Sequence, residues 1–420
     1  MSINMSDVKA ITLGGQDVKK IETTQGVVLW EKPTTNPYRE LEYIYLDGTD
    51  EYVETPSIQT YNRYRALKFY YGGPGGVGGT TGTVFGSYDL TQAAASQKYY
   101  LGDIIDGTKI RVVDGGTNSS TVNISFTTIY VLEGRINNTT NKPSGTMVVY
   151  NEDKTSQVGN VSVLTNSVAV DGPSPIRKYI GAYHKYESGT NTAENFVRCR
   201  IYYYNEYEGI TLNSLNILYS MVPVQRKADS KCGLYDCVNN IFYPINGTTT
   251  TSGAAGPTVN ENFVPTLTKT YNSGDITQID ATSSVPVSIT FDSFSNILNT
   301  LGIASEDDIL STDITVSFTF KCITGGTPQR SYNQYIRTSQ NGLSPSSLPG
   351  TSIATGSIQN VLNQSQTVDV IFTLADFKSK IAGKTVYRYY RQGTSGNYNG
   401  SNLSFSVSAK IVMDVTYKTN

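Results

Sequence analysis

Residues 221–243 read MVPVQRKADSKCGLYDCVNNIFY. Two apolar runs, Met221-Val222-Pro223-Val224 and Gly233-Leu234-Tyr235, flank a polar turn, Arg226-Lys227-Ala228-Asp229-Ser230. A second turn at Asn239-Asn240 leads into Ile241-Phe242-Tyr243. Apolar and aromatic residues bounded by Asp, Ser and Asn clusters mark short strands joined by tight turns. The stretch predicts a closing hairpin: Leu234, Tyr235 and Phe242 pack a sandwich while Arg226 and Lys227 sit on an exposed turn.

The same pattern continues outward in both directions. Between 41 and 256, strand signals recur at Leu41-Glu42-Tyr43-Ile44-Tyr45-Leu46, Arg65-Ala66-Leu67-Lys68-Phe69-Tyr70-Tyr71 and Val197-Arg198-Cys199-Arg200-Ile201-Tyr202-Tyr203-Tyr204, with no convincing helix. Many short strands separated by Gly, Asn and Ser turns predict a sandwich or jelly roll. Before them, residues 8–30 read as a three-stranded meander with turns at 14–17 and 25–26, too thin to be stable alone. Ile11, Leu13 and Trp30 are its candidate assembly residues, either plugging a small core or docking on a partner chain. A Pro-containing linker, Lys32-Pro33-Thr34-Thr35-Asn36-Pro37, follows. Beyond the small-residue linker at 253–258, further strand runs predict a second sandwich, with two short helices at 294–301 and 375–380 from their three-to-four apolar spacing. The expected organisation is all-β: a meander and linker at 1–36, a jelly roll at 37–256 and a C-terminal β-sandwich at 257–420.

Composition narrows the function classes. The chain has 420 residues, 31 Tyr, 38 Gly, one His, one Trp and only 16% charged residues. Average soluble domains carry roughly 25% charged residues, so Thr, Ser, Asn, Gln and Tyr must cover this surface. A formal net charge of −2 leaves no electrostatic footprint for nucleic acid. No apolar run approaches the ~18 residues of a transmembrane helix, and the first residues lack a signal-peptide layout. The expectation is synthesis in a cytoplasm without membrane insertion. The four cysteines are too few and too scattered for a disulfide framework.

A family resemblance rests on two stretches. Gly48-Thr49-Asp50-Glu51-Tyr52-Val53-Glu54-Thr55 is similar to the opening of concanavalin A-like (LamG-like) jelly rolls in proteins of gut bacteriophages and their hosts. Val222-Pro223, Arg226-Lys227 and then Gly233-Leu234-Tyr235-Asp236, Val238, Asn239-Asn240 and Phe242-Tyr243 resemble the closing strands of the same domain. The amino terminus, with Ser6-Asp7-Val8-Lys9-Ala10-Ile11 and Val27-Val28-Leu29-Trp30, resembles the start of phage tail and fibre components. Together these cover about residues 1–256 and imply a virion structural or host-contact module. Cys232 and Cys237 fall where the family tolerates other residues.

Candidate chemistry is sparse. His184 in Ala182-Tyr183-His184-Lys185 lacks any nucleophile context and reads as a surface residue at a strand end. Cys232 and Cys237, five apart on a strand, face opposite ways, and no paired CxxC exists to hold zinc with Cys199 and Cys322. Glu306-Asp307-Asp308 is consecutive, unlike the alternating acids of a glycosidase strand, and suits a helix-adjacent turn. Asp47 and Asp50 flank a tight turn and are the one candidate pair for a weak calcium site. The loop at 72–79 lacks the Lys-Ser/Thr pair of a phosphate cradle.

The tyrosine runs Tyr70-Tyr71, Tyr99-Tyr100, Tyr202-Tyr203-Tyr204 and Tyr389-Tyr390 remain. Strand neighbours face opposite ways, so each run is expected to put at least one ring on the outer face or into an interface, where a hydroxylated ring suits sugars and proteins alike. Tyr70, Tyr71 and Tyr203 are the candidate glycan or partner contacts. The expectation is a non-enzymatic bacteriophage virion protein without metal or cofactor, a fibre or appendage assembled in the host cytoplasm. Its expected partners are other virion proteins, two further copies in a homotrimer, and host-surface glycans. A carbohydrate-binding module of a bacterial surface protein is the alternative.

Overall fold

The computed structural model describes residues 11–13, 16–18, 20–22, 28–31, 36–58, 63–74, 80–91, 98–114, 117–136, 145–163, 177–209, 212–248, 254–279, 287–325, 328–340, 346–393 and 404–419. The fold is nearly all β, predominantly strands in largely antiparallel sheets arranged as sandwiches or barrel-like layers. The described chain divides into two compact units. One holds the residues to Glu206 with 221–236 and 241–264; the other holds 207–220, 237–240 and 265–420.

In the first unit one ladder runs Gln157–Val163, Gly145–Asn151, Thr128–Ile136, Arg63–Pro74, Val197–Glu208 and Ile44–Leu46. The other runs Ile241–Asn246, Tyr52–Ile58, Arg177–Ile180, Gly82–Asp89, Lys98–Ile105 and Lys109–Asp114. Ile241–Asn246 also pairs with Cys232–Asp236, and this shared strand ties the two ladders into a barrel-like sandwich. Leu46, Leu67, Phe69, Leu132 and Ile201 from the first ladder are sealed from water, as are Val53, Phe85, Leu101, Ile104 and Val112 from the second. Burying such side chains is the main term favouring the fold, about 1.5–3 kcal/mol each. Gly134 lets the layers approach: a Cβ there would stand 2.2 Å from Leu101 Cδ1.

The 221–243 stretch folds as its residues predict. Ile217–Arg226 and Cys232–Asp236 pair antiparallel, with Met221 opposite Asp236 and Gln225 opposite Cys232. Arg226 and Asp229 form an ion pair across the turn at 2.6 Å. Leu234 and Tyr235 are buried, while Phe242 is half-buried under the Arg226 guanidinium, 5.1 Å from its ring centre. Tyr38 joins this cluster, 5.0 Å from Tyr235 and 5.3 Å from Phe242.

Several details differ from the sequence expectation. The run 41–46 is two strands, Tyr38–Leu41 and Ile44–Leu46, broken at Glu42-Tyr43. Among the described N-terminal residues, two separate hairpins replace the meander: Ile11–Leu13 with Gln16–Val18, and Lys20–Glu22 with Val28–Glu31. Gln16 and Asp17, expected in a turn, lie in a strand. The side chains of Ile11, Leu13 and Trp30 lie outside the described residues, as does most of the 72–79 loop.

The second unit centres on two long strands, Ile309–Cys322 and Phe405–Lys418, flanked by Ser365–Phe372, Thr266–Asn272 and Ile276–Ile279. A second sheet runs Val287–Thr290, Thr385–Gln392, Ser331–Arg337 and Ser352–Gln359. Alternate residues of the long strands, Val316, Phe318 and Phe320 with Val407, Ile411 and Met413, are fully buried. Solvent-side threonines pair across strands instead: Thr268 with Thr416, Thr319 with Thr367 and Thr290 with Thr385, at 2.8–2.9 Å. The two short helices are Phe294–Leu301 and Leu374–Lys380, opened by Ser293 and Thr373 whose side chains accept from backbone amides. Gly302 ends the first at φ 67°, a conformation suited to glycine.

Candidate functional site

The site is built on the solvent side of the first ladder. Along Val197–Glu208, Cys199 and Ile201 point into the core while Arg198, Arg200 and Tyr202 point out. Next to them Arg63–Pro74 buries Phe69 and Tyr71 and turns Lys68 and Tyr70 outward. On the other flank Tyr45 pairs with Arg200 in register, and the break before Ile44–Leu46 leaves Tyr43 beside it. Period-two alternation on three adjacent strands thus gathers two arginines, a lysine and four tyrosines on one face.

Their geometry is ordered. The Arg200 guanidinium lies 4.6 Å from the ring centres of both Tyr43 and Tyr70. Tyr202 packs edge-on against Tyr43 at 5.7 Å, and the Lys68 ammonium sits 5.3 Å over the Tyr202 ring. Arg198 Nε donates to the Gly72 carbonyl at 3.0 Å. Burial raises the Tyr202 hydroxyl above its ordinary range, opposed by a hydrogen bond from Arg200. Burial also raises Tyr45, with Arg198 pulling the other way.

A groove of about 470 Å³ opens among Tyr43, Tyr45, Tyr70, Gly72, Arg198 and Arg200. A second depression of about 670 Å³ continues from Tyr70 and Arg200 past Lys68 to Asn151, Glu152 and Asp153. Aromatic walls, guanidinium donors and carboxylate acceptors at the far end suit a flat, hydroxylated or anionic ligand held by stacking and forked hydrogen bonds.

Of the sequence candidates, Tyr70 lines this groove. Tyr71 does not: it is fully buried, donates to the Gly107 carbonyl at 2.7 Å and stacks on Phe126. Tyr203, next to Tyr202 in the chain, is half-buried, and the alternation lapses there. Tyr202 faces the groove, yet Tyr204 packs on Phe85 in the core, 5.2 Å between centres. Tyr389 and Tyr390 are both buried, against the expectation of at least one ring at the outer face or an interface. Tyr390 enters the core cluster with Phe405, while Tyr389 is covered on its own side and donates to the Ser339 carbonyl. Arg198 and Arg200 lie outside the sequence candidates, although Arg198-x-Arg200-x-Tyr202 is the signal that reveals them.

The remaining candidates are structural. His184 is buried rather than on the surface. It stacks on Tyr179 at 4.5 Å, with ring nitrogens 2.8 Å from the Arg177 carbonyl and the Asn191 side chain. All four cysteines are buried and unbridged. Burial pushes the Cys232 thiol up to about 11, and Cys199 and Cys322 in the same direction. Asp47 accepts from Thr49 N, while Asp50 accepts from the amide and hydroxyl of Thr248, fastening two loops. Among the described residues no cluster of three His, Cys, Asp or Glu side chains could hold a metal ion. Glu306-Asp307-Asp308 forms a single 3-10 turn capped by Ser305. Among the described residues no helix is long and apolar enough to cross a membrane.

No protein-family model and no curated protein sequence matches the chain. Comparison with solved structures returns capsid structures of infectious bursal disease virus. The particle of the Gt strain shares 8% identity over 98% of this chain and 67% of that chain, with a TM-score of 0.16. The VP2 subviral particle of the same virus shares 8% over 91% of this chain and 77% of its own, with a TM-score of 0.15. TM-scores this low establish no shared fold.

Proposed function

We propose that this chain is a non-enzymatic structural protein of a bacteriophage particle. In this reading it is a fibre or appendage displaying β-sandwich domains, and residues 37–256 form a concanavalin A-like jelly roll that contacts host-surface glycans. The resemblance of residues 48–55 and 221–243 supports the phage jelly roll. The glycan contact rests on one observation: Arg200 held between Tyr43 and Tyr70 beside an open groove. Pyranose rings present apolar C–H faces that stack on tyrosine, and their hydroxyls accept from guanidinium forks. The short N-terminal strands of residues 11–31 need partners to complete a core, which favours a homotrimer.

The test has two arms. A glycan array of host-surface polysaccharides probed with the purified chain and with Tyr70→Ala is expected to show binding that the variant loses. Immunogold electron microscopy of phage particles is expected to place the chain on the virion. Array binding without particle labelling turns the reading to a bacterial surface module, and no binding on the array removes the glycan contact. Light scattering reads the trimer directly.

A further inference from the structure

We infer that the Arg198–Arg200 groove takes an acidic saccharide, one whose ring carries a carboxylate. This rests on the glycan reading above and names its ligand class. In the same unit Arg39, Arg63, Arg65, Arg111, Arg177 and Arg226 each have a carboxylate within 4.0 Å. Arg198 and Arg200 have none among the described residues, although they stand two residues apart on one face of one strand. Glu42 and Glu152 are near enough to push up the Tyr202 hydroxyl, yet neither is within ion-pair distance of a groove arginine. Glu152 is engaged by Lys68 at 3.1 Å.

Two neighbouring cations repel, and a folded surface normally relieves this with a carboxylate. Here the groups are instead held in place by contacts that leave charge uncompensated. Arg200 lies between the Tyr43 and Tyr70 rings, and Arg198 is tied through Nε to the Gly72 carbonyl, so its terminal nitrogens are not used by that bond. A planar guanidinium with its ordering already complete matches a carboxylate by two parallel hydrogen bonds. Tyr45 and Tyr70 on the groove wall supply the stacking surface for the sugar ring that carries it. The exposed Glu152 and Asp153 at the far end of the second depression can accept from sugar hydroxyls while repelling a second acidic group placed there. The expected ligand is therefore acidic at one ring and neutral at the next.

The experiment is titration calorimetry of the full chain with an alternating glucuronate–neutral hexose oligosaccharide and with the same oligosaccharide after reduction of its carboxyl groups. Expected is about tenfold or greater preference for the acidic form, falling as salt is raised. Arg198→Gln and Arg200→Gln should each remove that preference and leave residual affinity for the reduced form, with unchanged melting temperature. Arg200→Lys should recover only part of it, because an ammonium lacks the fork. Equal affinity for both forms overturns the acidic assignment while leaving glycan binding intact; binding of neither form, with a blank glycan array, removes both. Inorganic phosphate competing at the same concentration as the acidic oligosaccharide would show a simple anion site and also overturn it. If a glutamine variant fails to fold, the wild-type preference for the acidic form decides alone.

Discussion

Arg65 and Glu206 meet at 3.2 Å with side chains 0% and 2% exposed, an ion pair sealed inside the first unit. Glu206 also accepts from the Tyr204 hydroxyl at 2.6 Å, and the Arg65 guanidinium lies 5.6 Å over the Phe85 ring. Removing one partner of a sealed pair strands the other charge away from water, which costs about 3–5 kcal/mol. Glu206→Gln should therefore lower the unfolding free energy read from urea titration by that much. The triple change Arg65→Met, Tyr204→Phe, Glu206→Leu should recover part of the loss, because the sealed pair and the Tyr204 hydroxyl go together while only the partly exposed Arg63, 3.9 Å from Glu206, loses its carboxylate. A triple variant no more stable than Glu206→Gln would show that the pair itself holds the sheets together.

Gly233 stands opposite Pro244, where strands approach so closely that a Cβ would lie 2.2 Å from the Tyr243 carbonyl oxygen. That oxygen belongs to the backbone and cannot swing aside. Gly233→Ala is expected to cost about 3 kcal/mol through overpacking. Gly189→Ala meets nothing within 4 Å and suffers only from its φ of 84°, about 1 kcal/mol. Paired urea titrations compare the two, and equal losses would refute the steric account.

Neighbouring tyrosines should respond in opposite ways. Tyr71→Phe removes a buried hydrogen bond to the Gly107 carbonyl and should cost about 1 kcal/mol of stability without changing ligand binding. Tyr70→Ala takes away a groove wall and should abolish glycan binding while the thermal midpoint stays nearly unchanged. Array signal together with melting curves reads both effects.

The buried thiols and phenols predict the alkaline limit of stability. Burial raises Cys232 to about 11 from an ordinary 9.0, and raises Tyr271 to about 12 from 10.0. Tyr64, Tyr71, Tyr100, Tyr179 and Tyr183 move the same way. A raised folded pKa means the unfolded chain releases its proton first. Stability is thus complete below about pH 9 and is lost as pH climbs through the folded values. Urea midpoints from pH 7 to 11 should stay level and then fall. At pH 8 a disulfide-exchange reagent should label none of the four buried cysteines rapidly, and all four once guanidinium unfolds the chain.

Much of the fold was legible because its information is local. The turns at Asp229-Ser230 and Asn239-Asn240, the alternation of Val316, Phe318 and Phe320, and the helix at Phe294–Leu301 behind Ser293 each follow from residues within one strand or turn. Those choices settle an all-β chain stacked as sandwiches. Alternation also states that Tyr70 and Tyr71 face opposite sides, but it does not state which side is wet. Only the register of Arg63–Pro74 beside Val197–Glu208, together with the break before Ile44–Leu46, turned Tyr70 toward Arg200 and Tyr43 and buried Tyr71. The same holds for Tyr389, covered by a loop that carries Ser339 some fifty residues away in sequence, and for His184, whose strand Tyr183–Glu187 is laid against Gly82–Asp89 with His184 opposite Ser87. Short-range sterics and hydrogen bonding write the strands and turns into the sequence. Long-range pairing, which depends on how whole strands bury their apolar faces together, decides which rings and charges share a surface.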